Sequence, residues 1–262
     1  MKNYGILAHP AGHSLSPVMH NAAFRELGID AQYRAFDIPE NEFADFMQRV
    51  ASEPISGLSV SLPYKEVIID QLHEVSEDAR TIGAVNTVLN KGGHLYGYNT
   101  DHLGALAALG GVSGLKVVVL GAGGAARAIV YGLVQAGAEV FVVARNEEKA
   151  AALASEFGCS VGDFSMSADV LIQATSIWTV KPDAVLEDLC GAEFVEGFDK
   201  VMDIVYKPLM TPLLVAAEAA GKEIITGEKM LLYQAVEQFK IWTDQEAPVE
   251  VMREALTNAL GK

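Results

Sequence analysis

Short runs of apolar, β-rich residues alternate along the chain with stretches whose apolar positions recur at helical spacing. That alternation marks α/β units built on mostly parallel sheets. Tyr4 to Ala8 reads as a first strand. Ser16 then offers an N-cap and Pro17 a first helical residue, and the apolar spacing continues to Leu27 before Gly28 stops it. Gln32 to Phe36 is a second strand, Asn41 to Val50 a helix, and Leu58 to Val60 a short strand. Pro63 opens another helix toward Leu72. Two strands, near Val85 to Leu89 and His94 to Tyr98, flank a Lys91-Gly92-Gly93 turn.

The composition shifts after Asp101. An Ala/Leu-rich helix ends at Gly110-Gly111 and gives way to Val117-Val118-Val119-Leu120, an apolar run of the kind that forms a strand buried on both faces. A helix to Ala136, a strand Glu139 to Val143, a helix to Phe157 and strands near Val170 and Met202 follow. A helix at Pro212 to Ala220, a short strand at Ile224 and two closing helices complete the pattern. The expected fold is α/β in two domains. The first spans 1–101, and the C-terminal helices, 229–262, return to complete it. The second, 102–228, is Rossmann-like and doubly wound.

At 262 residues, half of them hydrophobic and a fifth charged, the chain has ample material for buried cores. The formal net charge of -15 would repel a phosphate backbone and an anionic leaflet, so neither nucleic acid nor membrane is an expected partner. Cys159 and Cys190 have no close-spaced partner, so metal and redox motifs find no support there. The apolar run after Met1-Lys2-Asn3-Tyr4 is too short for the core of a signal peptide, and cytoplasmic residence is the expectation. His9, His13 and His20 are kept from metal-ligand spacing by Pro10, Gly12 and Pro17, so no metal is expected. Met230, Leu231 and Phe239 are spaced like a buried helix face. The chain could act as a monomer or a homodimer.

A glycine fingerprint for dinucleotides is matched by Gly121, Gly123 and Ala126, between a strand and a helix as it requires. Gly121 permits the tight turn, Gly123 lets backbone N–H groups approach a pyrophosphate, and small Ala126 lets the helix lie close to the strand. The helix N-terminus adds partial positive charge. An NAD site would place a carboxylate at the end of the next strand; this chain has Ala144-Arg145 there. A guanidinium can pair with a 2′-phosphate, with Lys149 one turn further on as a second cation, so NADP is the expected cofactor. The alternative is that both are ordinary solvated charges at a helix start.

In the first half, Ser14 and Ser16 place two hydroxyls at a helix N-terminus, suited to hold a carboxylate; simple capping by Ser16 is the bland alternative. Lys65 stands just inside an expected helix start, where the dipole disfavours a structural cation. Gly83-Ala-Val-Asn86-Thr87 and Gly97-Tyr-Asn-Thr-Asp101 each lie near a strand terminus, where open α/β sheets bind ligands. Asn86 and Asp101 are therefore candidate polyol ligands.

Ser14-x-Ser16, Pro63-x-Lys65, Gly83-Ala-Val-Asn-Thr87 and Asn99-Thr-Asp101 together resemble the shikimate dehydrogenase family. So do Gly121-Ala-Gly-Gly-Ala-Ala-Arg127, Asp203-Ile-Val-Tyr206 with Pro208, and Gly227-x-x-Met230-Leu231-x-x-Gln234. The resemblance implies NADP-dependent, reversible reduction of 3-dehydroshikimate to shikimate at C3, in aromatic amino-acid biosynthesis. It makes Lys65 and Asp101 the catalytic pair: the lysine as acid/base, the aspartate orienting it. Ser14, Ser16 and Tyr206 would hold the substrate carboxylate, while Ser61, Asn86, Asp101 and Gln234 would bind ring hydroxyls. Cofactor contacts would come from Gly121, Ala122, Gly123, Gly124, Ala125, Ala126, Arg145, Lys149, Thr175 and Gly227.

Three departures from the family pattern stand out. Ser59 and Ser61 occupy positions usually held by Asn and Thr, and Ala144-Arg145-Asn146 stands for Asn-Arg-Thr. Gln173-Ala-Thr-Ser-Ile-Trp178-Thr179 stands for Asn-Ala-Thr-Ser-x-Gly-Met, so Trp178 either shapes a ring pocket or packs against its neighbours. The rivals are a paralogue acting on quinate or an amino analogue of shikimate, and a non-catalytic NADP-binding sensor.

Overall fold

The computed structural model describes residues 1–261. The chain forms two compact units. One comprises residues 1–100 and the segment from Gln234 onward, the other Asp101–Tyr233. The divisions fall after Thr100 and after Tyr233; the boundaries expected from sequence stand after Asp101 and after Glu228.

In the first unit the elements run β1 (Lys2–Ala8), α1 (Ser16–Glu26), β2 (Ala31–Asp37), α2 (Phe43–Ser52), β3 (Ile55–Val60), β4 (Glu74–Val75), α3 (Glu77–Ile82), β5 (Thr87–Lys91) and β6 (His94–Tyr98). The strand order is β2-β1-β3-β5-β6-β4. β1 pairs in parallel with both β2 and β3, but β5 runs antiparallel to β3 and to β6. β4 pairs in parallel with β6, so β5 alone runs against the other five strands and the sheet is mostly parallel, as expected. The β5–β6 hairpin turns on Gly92 and Gly93, both at positive φ, as the tight turn expected there requires.

Alternation along the strands divides the unit's core. Leu7 and Phe36 point into a cluster with Phe46, Val50, Leu58, Tyr64 and Val88. Tyr4 and Tyr33, of opposite parity, point to the other face, where their rings meet Phe24 and Trp242.

The segment after β3 departs from expectation. Residues 62–63 and 65–66 form turns and only Val67–Gln71 coils, as a 3-10 helix. The Lys65 carbonyl accepts the Val85 N–H at 2.7 Å, so a tertiary bond takes the acceptor that a helix would have used. Lys65 is not at a helix start, and the dipole argument for its role falls away.

The second unit contains α4 (Asp101–Leu109), β7 (Lys116–Leu120), α5 (Gly124–Gln135), β8 (Glu139–Val143), α6 (Glu147–Phe157), β9 (Ser160–Val161), β10 (Ala168–Gln173), α7 (Ile177–Val180), α8 (Ala192–Glu196), β11 (Phe198–Asp203), α9 (Pro212–Ala219) and β12 (Glu223–Ile225). All six strands are parallel, in the order β12-β11-β10-β7-β8-β9. This is the doubly wound order of dinucleotide-binding folds, with strand order reversing between β7 and β10. Val117 and Val119 enter one core cluster with Ile129 and Leu133 of α5. Val118 and Leu120 enter another with Leu213 and Leu214 of α9. Burial on both faces explains the unbroken apolar runs.

Two helices close the chain, α10 (Gly227–Thr243) and α11 (Val249–Ala259). The second division between units falls inside α10. Beyond it, Trp242 donates its indole N–H to the Val88 carbonyl at 2.9 Å, and α11 packs on α1. No helix among the described residues is long and apolar enough to cross a membrane.

Candidate active site

In the first unit the candidate residues gather beyond the C-terminal ends of neighbouring parallel strands β1 and β3, where open α/β sheets take ligands. Ser14 and Ser16 follow β1. Ser61 follows β3, its N–H bonded to the Leu7 carbonyl at 2.9 Å. The expected N-cap at Ser16 is not observed. Leu15 holds that position without a side-chain cap, and Ser16 is already helical. The Ser14 hydroxyl accepts the Ser16 N–H at 3.3 Å, so a local bond two residues long does the work of a cap and leaves the Ser14 O–H to donate elsewhere.

Lys65, Asn86 and Thr100 lie on segments that hydrogen bonds lace together. Val85 N–H reaches the Lys65 carbonyl, Val60 N–H the Asn86 carbonyl at 2.7 Å, and Asn86 N–H the Tyr98 carbonyl at 3.0 Å. The Asn99 amide donates to the Ala84 carbonyl at 2.9 Å. Asn86, 1 % exposed, accepts the Thr87 hydroxyl at 2.7 Å and the Thr100 N–H at 2.8 Å on Oδ1, and donates from Nδ2 to the Thr100 hydroxyl at 3.0 Å. That hydroxyl donates in turn to the Gln234 carbonyl at 3.0 Å. Asn86 is thus a clasp between the start of β5, the end of β6 and α10, a structural duty beyond any ligand contact.

In the second unit the glycine fingerprint occupies the turn from β7 into α5, at the switch point of the sheet. Gly121 has φ +121°, and a Cβ there would sit 3.1 Å from the Thr175 side chain and 3.2 Å from the Ala174 backbone; only glycine fits. A Cβ on Gly123 would meet nothing within 4 Å, so its face is open to a ligand. The first helical bond runs from Arg127 N–H to the Gly123 carbonyl at 2.9 Å. The amides of Gly124, Ala125 and Ala126 precede it and stand available for anion recognition. Ala126 is fully buried. A pyrophosphate fits this turn.

Arg145 follows β8, and Lys149 lies in the first turn of α6, whose N-cap is Asn146 (Asn146 Oδ1 accepts Lys149 N–H, 2.9 Å). Both side chains are exposed, and among the described residues neither forms an ion pair. Arg127 is different: it makes a bidentate pair with Glu156, at 2.8 and 2.6 Å. Gly227, at the start of α10, lies so close to the end of β11 that a Cβ would come 2.5 Å from the Ile204 carbonyl oxygen.

The segment after β10 is held from below by a buried carboxylate. Asp203 is fully buried and accepts from Trp178 Nε1 at 2.7 Å, Thr211 Oγ1 at 2.8 Å, Val205 N–H at 2.9 Å and Gln173 Nε2 at 3.2 Å. Gln173 Oε1 in turn accepts the Thr175 N–H. Burial raises the Asp203 carboxyl to about 6, against the lowering effect of these donors. Trp178 is 2 % exposed and packs with Leu171, Phe194 and Val201 in the unit's own core. Of the two roles open to it, packing is the one observed. Tyr206, also in this unit, is half-buried, and burial raises its phenol.

Of the three histidines near the N-terminus, His9 and His13 both help to lower the Asp37 carboxyl, while His20 is buried in the core. His9 bonds Asp37 at 2.7 Å. His20 is fully buried on α1 among the rings of Tyr33 at 4.6 Å, Trp242 at 5.0 Å and Phe24 at 6.4 Å. Burial lowers His20 to about 3. The Gln238 amide offsets part of that effect without reaching hydrogen-bond geometry at either ring nitrogen.

These features define an α/β protein of two units, one carrying a polar site at its strand ends and the other built to take a dinucleotide. Residues 6–88 match the family model described as the shikimate dehydrogenase substrate binding domain, and 227–257 that of the shikimate 5'-dehydrogenase C-terminal domain. Residues 116–193 match the model described as NADP oxidoreductase, coenzyme F420-dependent. The chain belongs to the shikimate dehydrogenase family. It is 44% identical to the shikimate dehydrogenase (NADP(+)) of Pyrococcus abyssi, over 100% of both chains. A crystal structure of shikimate 5-dehydrogenase from Thermus thermophilus in complex with NADP(H) and shikimate superposes with a TM-score of 0.91 at 39% identity, covering 99% of this chain and 100% of that one. A 5-ketofructose reductase of Gluconobacter, in ligand-free form, gives 0.87 at 32% identity, covering 98% of each.

Sequence reasoning missed Thr100 as a clasp, Asp203 as a hub, and the buried polar set of Tyr33, Ser59 and Gln238. One signal was there: Gln238 repeats Gln234 four residues on, a second amide on an otherwise apolar helix face.

Proposed function

We propose that the protein catalyses the reversible, NADP-dependent reduction of 3-dehydroshikimate to shikimate by hydride transfer at C3. The observation that carries this is the lacing of Lys65, Asn86 and Thr100 around one set of strand ends, in a chain whose other unit carries the dinucleotide turn. The family likeness over the whole chain supports the choice of substrate.

When bound, NADP supplies the hydride carrier. The roles on this chain follow the family's motifs. Lys65 donates a proton to the C3 oxygen as the carbonyl is reduced and takes it back in the reverse direction, and the Asp101 carboxylate orients it. Ser14 and Ser16 meet the substrate carboxylate through hydroxyl donors, with Tyr206 as a third. Ser61, Asn86, Asp101 and Gln234 fix the ring hydroxyls, an orientation that can contribute about 7–11 kcal/mol in the best intramolecular cases. The turn Gly121 to Ala126 receives the pyrophosphate, Thr175 and Gly227 border the cofactor, and Arg145 with Lys149 meets its 2′-phosphate. The quinate and amino-analogue alternatives drew on Trp178 as a pocket residue. Its place in the core removes that support.

Adding shikimate and NADP should raise absorbance at the reduced-nicotinamide band, and quinate in place of shikimate should do so far more slowly. Lys65→Ala should lower kcat by about 100-fold or more with a much smaller change in KM. A folded wild-type protein that leaves the band unchanged would mark a non-catalytic binder, and a Lys65→Ala variant within a few-fold of wild-type turnover would refute the acid/base role.

A further inference from the structure

Gln238 lies one helical turn beyond Gln234 on α10, within the first unit, and is 1 % exposed. Both ends of its amide are used. Oε1 accepts the Ser59 hydroxyl at 2.7 Å, and Nε2 donates to the Asn86 carbonyl at 3.1 Å. Ser59, 4 % exposed, accepts the Tyr33 phenol at 2.7 Å. A relay of hydrogen bonds therefore runs from Tyr33 on β2 through Ser59 on β3 and Gln238 on α10 to Asn86 at the start of β5.

Buried amides and hydroxyls are costly to desolvate, and an apolar group of similar shape often serves a core as well. The Asn86 carbonyl already accepts the Val60 N–H at 2.7 Å, so a second donor is not needed to satisfy it. What the second donor adds is direction. Asn86 is pinned along two lines, from β3 and from α10, while its side chain is tied to Thr100. Fully satisfied buried networks of this kind specify one arrangement.

We infer that Gln238 is a positioning residue for the substrate. It acts through Asn86, fixing where the Asn86 amide meets a ring hydroxyl, while the Ser59 hydroxyl satisfies the other end of its amide. The inference rests on the function proposed above. The two Gln238 bonds are separable. Ser59→Ala removes the relay's first half and leaves the donation to Asn86. Gln238→Glu keeps an acceptor for Ser59 and places a carboxylate where the Asn86 carbonyl expects a donor. Gln238→Leu removes both bonds and fills the space.

The test is steady-state kinetics on the full chain, with shikimate and with NADP varied in turn. Gln238→Leu and Gln238→Glu should each raise KM for shikimate by about tenfold, the scale of one misdirected polar contact, and leave KM for NADP within about twofold. Ser59→Ala should shift KM for shikimate by less than about threefold. Gln238→Met carries the same comparison if the leucine variant does not fold. A wild-type KM for shikimate in Gln238→Leu or Gln238→Met, or equal losses for both substrates, would overturn the positioning role while wild-type turnover stood. Absence of wild-type turnover with shikimate would instead overturn the substrate assignment.

Discussion

Trp178 donates its indole N–H to the Asp203 carboxylate at 2.7 Å, with both side chains buried. The pair joins α7 to the end of β11 and, through Gln173, to the backbone of Thr175. A residue that departs from the family pattern is thus fastened to one that conforms to it. Trp178→Phe keeps most of the ring's packing and removes the donor, leaving a buried carboxylate oxygen with one partner fewer. Unfolding by denaturant should show a loss of about 1.5–3 kcal/mol. Trp178→Gly, which restores the family's residue without the family's surroundings, should cost at least about 3–5 kcal/mol through the cavity it leaves. A phenylalanine variant as stable as wild type would show that the indole bond holds nothing.

Two buried titratable groups, one in each unit, oppose one another in acid. His20 is lowered from 6.5 to about 3, chiefly by burial among Tyr33, Phe24 and Trp242. As pH falls below 6.5 the unfolded chain takes up a proton that the folded one refuses, so this group's stabilisation is lost toward pH 3. Asp203 is raised from 3.8 to about 6, again by burial. Here the folded state binds the proton first, so stability from this group is present below pH 4 and lost as pH rises through 6. Each slope is about 1.4 kcal/mol per pH unit where it operates. Between pH 4 and 6 the two largely cancel. His20→Phe should therefore gain about 2–3 kcal/mol relative to wild type between pH 7 and 4.5, whereas Asp203→Asn should lose stability more steeply than wild type over the same range. Parallel curves of stability against pH for His20→Phe and wild type would show that the histidine is not neutral in the fold.

The legible and illegible parts of this chain divide on physical lines. Strands such as Lys116–Leu120 and Glu139–Val143 were readable because burial on both faces leaves an unbroken apolar run, and the turn after β7 because only glycine fits at Gly121. The helix expected at Pro63 failed because the Lys65 carbonyl is claimed by Val85, twenty residues away in sequence. The cap expected at Ser16 failed because the helix starts one residue earlier: Leu15 holds the cap position and Ser16 is already helical, its own N–H taken by the Ser14 hydroxyl. Trp178 could not be assigned from sequence, since its partner is Asp203, at the end of a strand twenty-five residues further on. Candidate ligands at strand ends could be named from residue type and position; the clasp that holds them, Asn86 to Thr100 to Gln234, is a matter of side chains meeting across elements, which spacing does not encode.

The cofactor's identity turns on two cations. Arg145 and Lys149 are exposed and without ion pairs among the described residues, although Glu147 and Glu148 stand between them. Cations kept unpaired in a chain of net charge -15 fit a role toward an anionic ligand better than one in the fold, where exposed charges contribute little. Charge-assisted bonds from a guanidinium to a phosphate contribute about 1.5–3 kcal/mol, a factor of roughly 10–150. Arg145→Ala should accordingly lower kcat/KM for NADP by at least about tenfold and leave the much smaller value for NAD nearly unchanged, and Lys149→Ala should act in the same direction by a few-fold. Unfolding midpoints of both variants should match wild type. Equal losses with the two cofactors would place these cations outside the 2′-phosphate site.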